Sequence, residues 1–296
     1  MMKLLWAERQ KLRRSSIVLL TIFATVLVAI VVFIGGNSMD LEGQYIDNAG
    51  WYMTMVQPWA TLLVIPTVIA LLGSYMVCRE EQDDTMKTLR LIPVNEVKLT
   101  IVKLVITLAF SIFVYVLLFI ITFLTEAYLH FSELSAGMVF DFLKTYFLEG
   151  IGVFLAVSPI IALVTYTKKS YWLALILTEM YSFAGMFMSM SGTLRAFYPI
   201  TAVLGVAGYY ETTTEKLIAS IIILLLCGCL SILLLVGLNH KEKEKTTLKE
   251  LAEVLGKETI DLYNTSDTRG TSQSYGLNYQ KTGKDMPYLF VKSSVA

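Results

Sequence analysis

The chain has 296 residues, of which 55% are hydrophobic and only 16% are charged, and its mean hydropathy is +0.63. Soluble domains carry about 25% charged residues, so this composition excludes an ordinary soluble protein. The formal net charge of zero provides no overall basic excess that would attract nucleic acid. The composition therefore predicts an integral membrane protein that does not bind nucleic acid.

Residues 1–15 form a charged segment ahead of the first apolar run and contain the stretch LLWAERQKLRRSS. Leu4, Leu5 and Leu12 fall near one side of a helix, and the charged residues fall largely elsewhere. The charged residues are Glu8, Arg9, Lys11, Arg13 and Arg14. This pattern is typical of a helix at the inner membrane interface, with its cations near anionic headgroups. A plain positively charged anchor for the first span is the alternative.

Six stretches are long and apolar enough to cross about 30 Å of hydrocarbon as helices. They are residues 16–34, 53–77, 100–124, 146–166, 172–190 and 217–238. Strands of a membrane barrel would instead alternate in segments of about ten residues. We therefore predict an all-α integral membrane protein with a six-helix transmembrane domain at 16–240.

The connection between the second and third spans, about residues 78–99, is too long and too charged for a minimal turn. Asp83 or Asp84 can cap a short helix that carries Met86 and Leu89, and Pro93 ends it. This helix would be presented to the cytosol and joined rigidly to both spans. A solvated connector is the alternative.

Three features within the membrane domain invite a functional interpretation. Glu179 lies near mid-bilayer, where an ionisable group is either functional or a protonated partner of a neighbouring helix. Pro58, Pro66 and Pro159 interrupt helices, as hinges or as static packing features. Residues 191–215 are apolar and glycine-rich, which favours a re-entrant or interfacial hairpin over a loose aromatic-rich loop.

Residues 241–296 form a polar tail, predicted to be cytoplasmic. Its first part has leucines at helical spacing and predicts a short amphipathic helix. Residues 264–287 are rich in Ser, Thr, Gly, Asn and Gln and are predicted to be disordered, because they cannot bury enough apolar area to offset the ordering entropy.

The sequence contains few residue patterns that are typical of catalytic sites, and we predict no enzyme activity in this chain. His130 and His240 are not spaced for a metal pair, so no metal site is predicted. A P-loop is missing, since Gly256-Lys257 is followed by Glu258. A membrane-embedded enzyme that uses Glu179 is the alternative, but few His, Asp and Cys residues within the spans could act as its partners.

The two charged segments together resemble the permease subunits of type-2 ABC exporters, in the lantibiotic-immunity and bacitracin-resistance branch. The family's N-terminal motif matches Glu8, Lys11, Leu12, Arg13, Arg14 and Ser15. The family's loop motif matches Glu80 or Glu81, Thr85, Leu89, Pro93, Lys98 and Lys103. Asp84 stands where the family often has Gly. The resemblance covers residues 1 to about 240.

The resemblance implies that residues 1–15 and the 78–99 loop contact a separate ABC ATPase subunit, which binds ATP and Mg²⁺, so that this chain itself needs no cofactor. The ATPase-coupling residues would be Glu80, Glu81, Thr85, Met86, Leu89, Arg90 and Pro93. It also implies a second permease subunit, identical or homologous, within the lipid bilayer. The expected function is ATP-driven export of an amphipathic antimicrobial peptide such as a lantibiotic or bacitracin. A non-transporting scaffold or sensor that docks a signalling partner is the alternative.

The placement of Lys and Arg predicts a plasma-membrane protein with both termini in the cytoplasm. Of the 24 Lys and Arg residues, all but Lys144, Arg195 and Lys216 fall in segments on the predicted inner side. Single cysteines placed within 38–48 should therefore react with an impermeant maleimide added outside cells. Those within 83–90 should react only after permeabilisation, and the reverse pattern would contradict the predicted topology.

Overall fold

The computed structural model describes residues 2–13, 15–38, 48–82, 96–167 and 171–237, and no strand occurs in these ranges. The elements are α1 (Met2–Arg13), α2 (Ser16–Ser38), α3 (Trp51–Trp59), a π-helical turn (Ala60–Val64), α4 (Ile65–Gln82), α5 (Glu96–His130), α6 (Ala136–Thr167), α7 (Trp172–Ser189), α8 (Leu194–Phe197), α9 (Pro199–Ala207) and α10 (Thr214–Gly237).

Six helical segments within the described ranges are long and apolar enough to span a membrane, which confirms the predicted all-α membrane architecture. The fourth begins at Ala136 rather than at residue 146, because Asp141 and Lys144 lower the hydropathy of its first turns without ending the helix. Helix α4 continues to Gln82 and α5 begins at Glu96, so the two ends of the predicted 78–99 connection are helical.

The second span, built from α3, the π-helical turn and α4, lies at the centre of the transmembrane domain. It packs against α2, α5, α6 and α7, and 78% of its most apolar window is buried. The buried share of the corresponding stretch is only 28% in α2 and 22% in each of α7 and α10, so these three helices form the outer surface of the chain.

Helix α1 packs its apolar side on the C-terminal part of α4 and the N-terminal part of α5. Leu4, Leu5 and Leu12 contact a small cluster that includes Met76 and Val102. Glu8 is buried, and Lys11 Nζ donates to its Oε1 at 2.6 Å. The position of α1 at a membrane interface stays a prediction, and the side chains of Arg13 and Arg14 lie outside the described residues.

Helices α8 and α9 form a closed hairpin between the fifth and sixth spans. Pro199 occupies the first turn of α9, whose residues 200–205 are buried, and α9 packs mainly on α6. Arg195 donates to the Glu211 carbonyl at 3.1 Å and lies 4.7 Å from the Tyr210 ring centroid. Burial raises the pKa of the Tyr210 hydroxyl above its ordinary value. The depth of this hairpin in a membrane, predicted as re-entrant or interfacial, stays a prediction.

Helices α5 and α6 approach closely at Gly150. A Cβ atom added there would lie 3.0 Å from the Ile112 Cα, which is backbone and cannot move aside alone. Ser111 donates from the same stretch of α5 to the Gly150 carbonyl at 2.6 Å. The absence of a side chain at this position therefore sets the spacing of the third and fourth spans.

Gly150→Ala should destabilise the protein by about 1 to 3 kcal/mol, since the added methyl group forces the two helices apart. Gly137→Ala is the matched control on the same helix, because a Cβ there has no closer neighbour than the Ser135 hydroxyl at 4.0 Å. Thermal unfolding in detergent should show a lower midpoint for Gly150→Ala only. Equal midpoints would contradict the close approach of these helices.

Candidate functional site: three carboxylates along the second span

Two prolines interrupt the hydrogen bonds of the second span. Proline has no N–H, and its ring clashes with the carbonyl four residues earlier in an α-helix. Pro66 follows the π-helical turn, in which the Ile65 N–H bonds to the Ala60 carbonyl five residues back. Pro58 lies within α3. Turns of this type occur frequently at functional sites in helices, so the residues around 60–64 are the natural place to search.

Glu126, near the C-terminal end of α5, caps the N-terminal end of the second span. It is 0% exposed, and its two oxygens accept from the Gly50 N–H at 2.7 Å and the Tyr52 N–H at 3.1 Å. Gly50 has φ 91°, a left-handed conformation that glycine adopts without strain. His130 Nδ1 lies 2.9 Å from Glu126 Oε1. A carboxylate at this position also interacts favourably with the helix dipole.

Glu149, on α6, lies beside the π-helical turn. Its side chain is 0% exposed, and neither oxygen has a hydrogen-bond partner among the described residues. Thr61, inside the turn, faces this carboxyl group, but its hydroxyl shares a 2.8 Å hydrogen bond with the Tyr115 hydroxyl. The site is thus a buried carboxyl group next to two hydroxyls that bond to each other.

Glu179, the carboxylate singled out from the sequence, lies on α7 and contacts the second span from another helix. The Thr67 hydroxyl donates to its Oε2 at 2.7 Å. The side chain is otherwise exposed at the surface of the chain. A cavity of about 210 Å³ lies between the same two spans, lined by Pro58, Trp59, Leu62, Leu63 and Met186. Glu179 is therefore an exposed carboxylate that contacts the second span at Thr67, and the apolar groove lies further along the same two spans.

The structure describes only some of the other predicted site residues. Thr85, Met86, Leu89, Arg90 and Pro93 lie outside the described residues, as do the side chains of Glu80 and Glu81. Their role in ATPase coupling stays a prediction. Of the N-terminal motif, Glu8 and Lys11 are described and form the ion pair of α1.

Two of the three carboxylates, Glu126 and Glu149, were missed by sequence reasoning. Glu149 lies inside the predicted fourth span, three residues from its start at residue 146, so the rule that an ionisable residue within a span is a candidate functional residue could have found it. Glu126 lies just beyond the predicted end of the third span, and its partners Gly50 and Tyr52 are more than 70 residues away. No local pattern reveals a contact of that kind.

The fold and the buried carboxylates define the class of a multi-pass membrane protein with polar groups inside its helix bundle. Residues 4–185 match the ABC-2 family transporter proteins, which covers more than half of the chain, so the chain belongs to this family. It is 29% identical over 145 residues to the bacitracin transport permease protein BCRB of Bacillus licheniformis. Those residues are 49% of this chain and 69% of that protein. The predicted resemblance to an ABC permease of the bacitracin-resistance branch is confirmed, and the chain is a transporter permease.

Glu126→Ala should destabilise the protein by about 2 to 5 kcal/mol, because it leaves the Gly50 and Tyr52 N–H groups buried without an acceptor. The control is Glu133→Ala, which removes an exposed carboxylate from the loop just after α5. Chemical unfolding in detergent should separate the two variants. Wild-type stability of Glu126→Ala would contradict its capping role.

Proposed function

We propose that this chain is the membrane-spanning subunit of an ATP-driven exporter that moves an amphipathic antimicrobial peptide, of the bacitracin or lantibiotic type, out of the membrane or the cell. The observation that carries this proposal is the similarity to a bacitracin transport permease. A separate ABC ATPase subunit binds and hydrolyses ATP with Mg²⁺, and this chain takes no catalytic part.

The exposed side of α7 supports the presence of a second permease subunit. Ile176, Met180 and Phe183 are exposed there, next to the exposed Glu179. A carboxylate that faces hydrocarbon is costly, whereas one that faces a water-filled path or another helix is not. A second permease subunit placed against this side would enclose Glu179 and the apolar groove in a shared path for an amphipathic substrate.

The helices that lead to the 83–95 connection support force transmission from an ATPase. Helix α4 runs unbroken from the π-helical turn to Gln82, and α5 runs unbroken from Glu96 to His130. Both are packed by α1 near their inner ends. A displacement imposed at the connection is therefore carried along stiff helices to the carboxylates of the second span.

The proposal is tested by purifying the chain from its native host in mild detergent and identifying what accompanies it. An ATPase with an ordinary P-loop, whose hydrolysis rises on addition of bacitracin or a lantibiotic, is the expected result. A different signalling protein and no ATPase would instead favour a scaffold or sensor. An ATPase unaffected by either peptide would overturn the substrate assignment.

Met86→Asp combined with Leu89→Asp should leave membrane insertion intact, because both residues lie in the connection between spans. We expect these apolar side chains to fill a cleft on the ATPase, with Glu80, Glu81 and Arg90 at the rim. The double variant should lose co-purifying ATPase and peptide-stimulated hydrolysis. The matched control is Leu251→Asp with Leu255→Asp in the tail. Full coupling in the loop variant and loss in the tail variant would place the contact in the tail.

A further inference from the structure

Glu149 is the one ionisable side chain in the described part of the bundle that is completely buried and has neither carboxyl oxygen in a hydrogen bond. It lies about 20 Å along α6 from Ala136, which is well inside the membrane for a helix that rises about 1.5 Å per residue. A bare carboxylate at this depth is strongly disfavoured unless a charge or a hydrogen-bond donor compensates it. The site therefore requires a ligand or a bound proton.

The surroundings favour a proton over a metal ion. Tyr115 from α5, Tyr146 one turn earlier on α6, and Tyr209 after α9 are the titratable groups that interact with Glu149. No Lys, Arg or His in the described ranges interacts with it. Protein sites for Zn²⁺ use three or four side-chain ligands and sites for Ca²⁺ use six or more oxygens, and no cluster of three or more His, Cys, Asp or Glu side chains that could hold a metal occurs among the described residues.

The hydroxyl groups nearest to Glu149 form hydrogen bonds with one another or with the backbone. Thr61 and Tyr115 bond to each other at 2.8 Å, and the Tyr146 hydroxyl donates to the Met53 carbonyl at 2.8 Å. Because either hydroxyl of the Thr61–Tyr115 pair can be the donor, one hydroxyl hydrogen of the pair remains, and Thr61 can direct it to Glu149. One neutral donor does not compensate a full charge at a completely buried site, so a neutral carboxyl group is the form that this arrangement accommodates.

The π-helical turn provides a way to change this environment. Thr61 lies within the turn, and a turn of this kind contains one residue more than an α-helical turn. Loss of the turn would rotate the preceding residues by about 100° relative to the rest of the span, since an α-helix has 3.6 residues per turn. Such a rotation moves the Thr61 hydroxyl away from Glu149 and removes a donor that can stabilise the ionised carboxylate.

We propose that Glu149 is a proton-binding site in the membrane interior, and that its affinity for the proton is coupled to the π-helical turn of the second span. Coupling between two equilibria is reciprocal, so the turn, which places the Thr61 donor beside Glu149, weakens the binding of the proton as much as the bound proton destabilises the turn. Its consequence for transport, a pH-dependent export cycle, rests on the proposed function. Proton binding itself does not.

The test uses the full-length chain in lipid nanodiscs, without ATPase or substrate, and infrared difference spectra recorded from acid to alkaline pH. The wild type should show the carbonyl stretch of a protonated carboxyl group in a dry environment. Glu149→Gln should lose this band, and the matched controls Glu179→Gln and Glu126→Gln should retain it. A wild-type spectrum without the band, or a folded Glu149→Gln variant that keeps it, would overturn the proposal.

Two further variants test proton binding by Glu149 and its coupling to the π-helical turn if Glu149→Gln does not fold. Tyr115→Phe removes a hydroxyl beside the carboxyl group and should shift the frequency of the band, and an unchanged band would mean that it belongs to another residue.

Pro66→Ala restores an N–H donor and removes the obstacle to an α-helical turn. It should strengthen proton binding about tenfold, because the Thr61 donor leaves the carboxyl group, and this change is within the usual range of coupling between sites. A band that titrates as in the wild type would refute the coupling to the turn.

Discussion

A buried helix that contains two prolines cannot complete its own hydrogen bonds, and this constraint shapes the centre of the molecule. The second span crosses the bundle with α2, α5, α6 and α7 around it, so water is not freely available to its backbone. The π-helical turn relieves the clash at Pro66, and Glu126 supplies the acceptor that its first N–H groups lack. Polar groups occur in this interior because the second span requires them.

The three carboxylates differ in environment although all of them face the same span. Glu126 has two backbone donors and a histidine, Glu179 has one threonine and an exposed side, and Glu149 has no hydrogen-bond partner among the residues described. A carboxylate whose hydrogen bonds are all satisfied suits a structural role, since the loss of any of these bonds is costly. A carboxylate with few hydrogen bonds suits a group whose protonation or contacts change during a transport cycle.

The sequence predicts the helical class and the number of spans, because bilayer thickness dictates the length of an apolar run. It identifies Glu179 for the same reason, since the depth of a residue in a span follows from counting. The start of α6 was predicted too late because hydropathy falls at Asp141 and Lys144 while helix formation continues. The π-helical turn and the contact between Glu126 and Gly50 depend on tertiary packing, which no spacing of residues encodes.

The cap that Glu126 places on the N-terminal end of α3 makes that end a pivot for the second span. A force applied at Gln82 would act about 46 Å from Trp51, with Thr61 about 15 Å and Thr67 about 24 Å from the same point. For a rigid tilt, displacement grows in proportion to this distance. The contact between Thr67 and Glu179 would then move more than the surroundings of Glu149, so a tilt would disturb the exposed carboxylate more than the buried one.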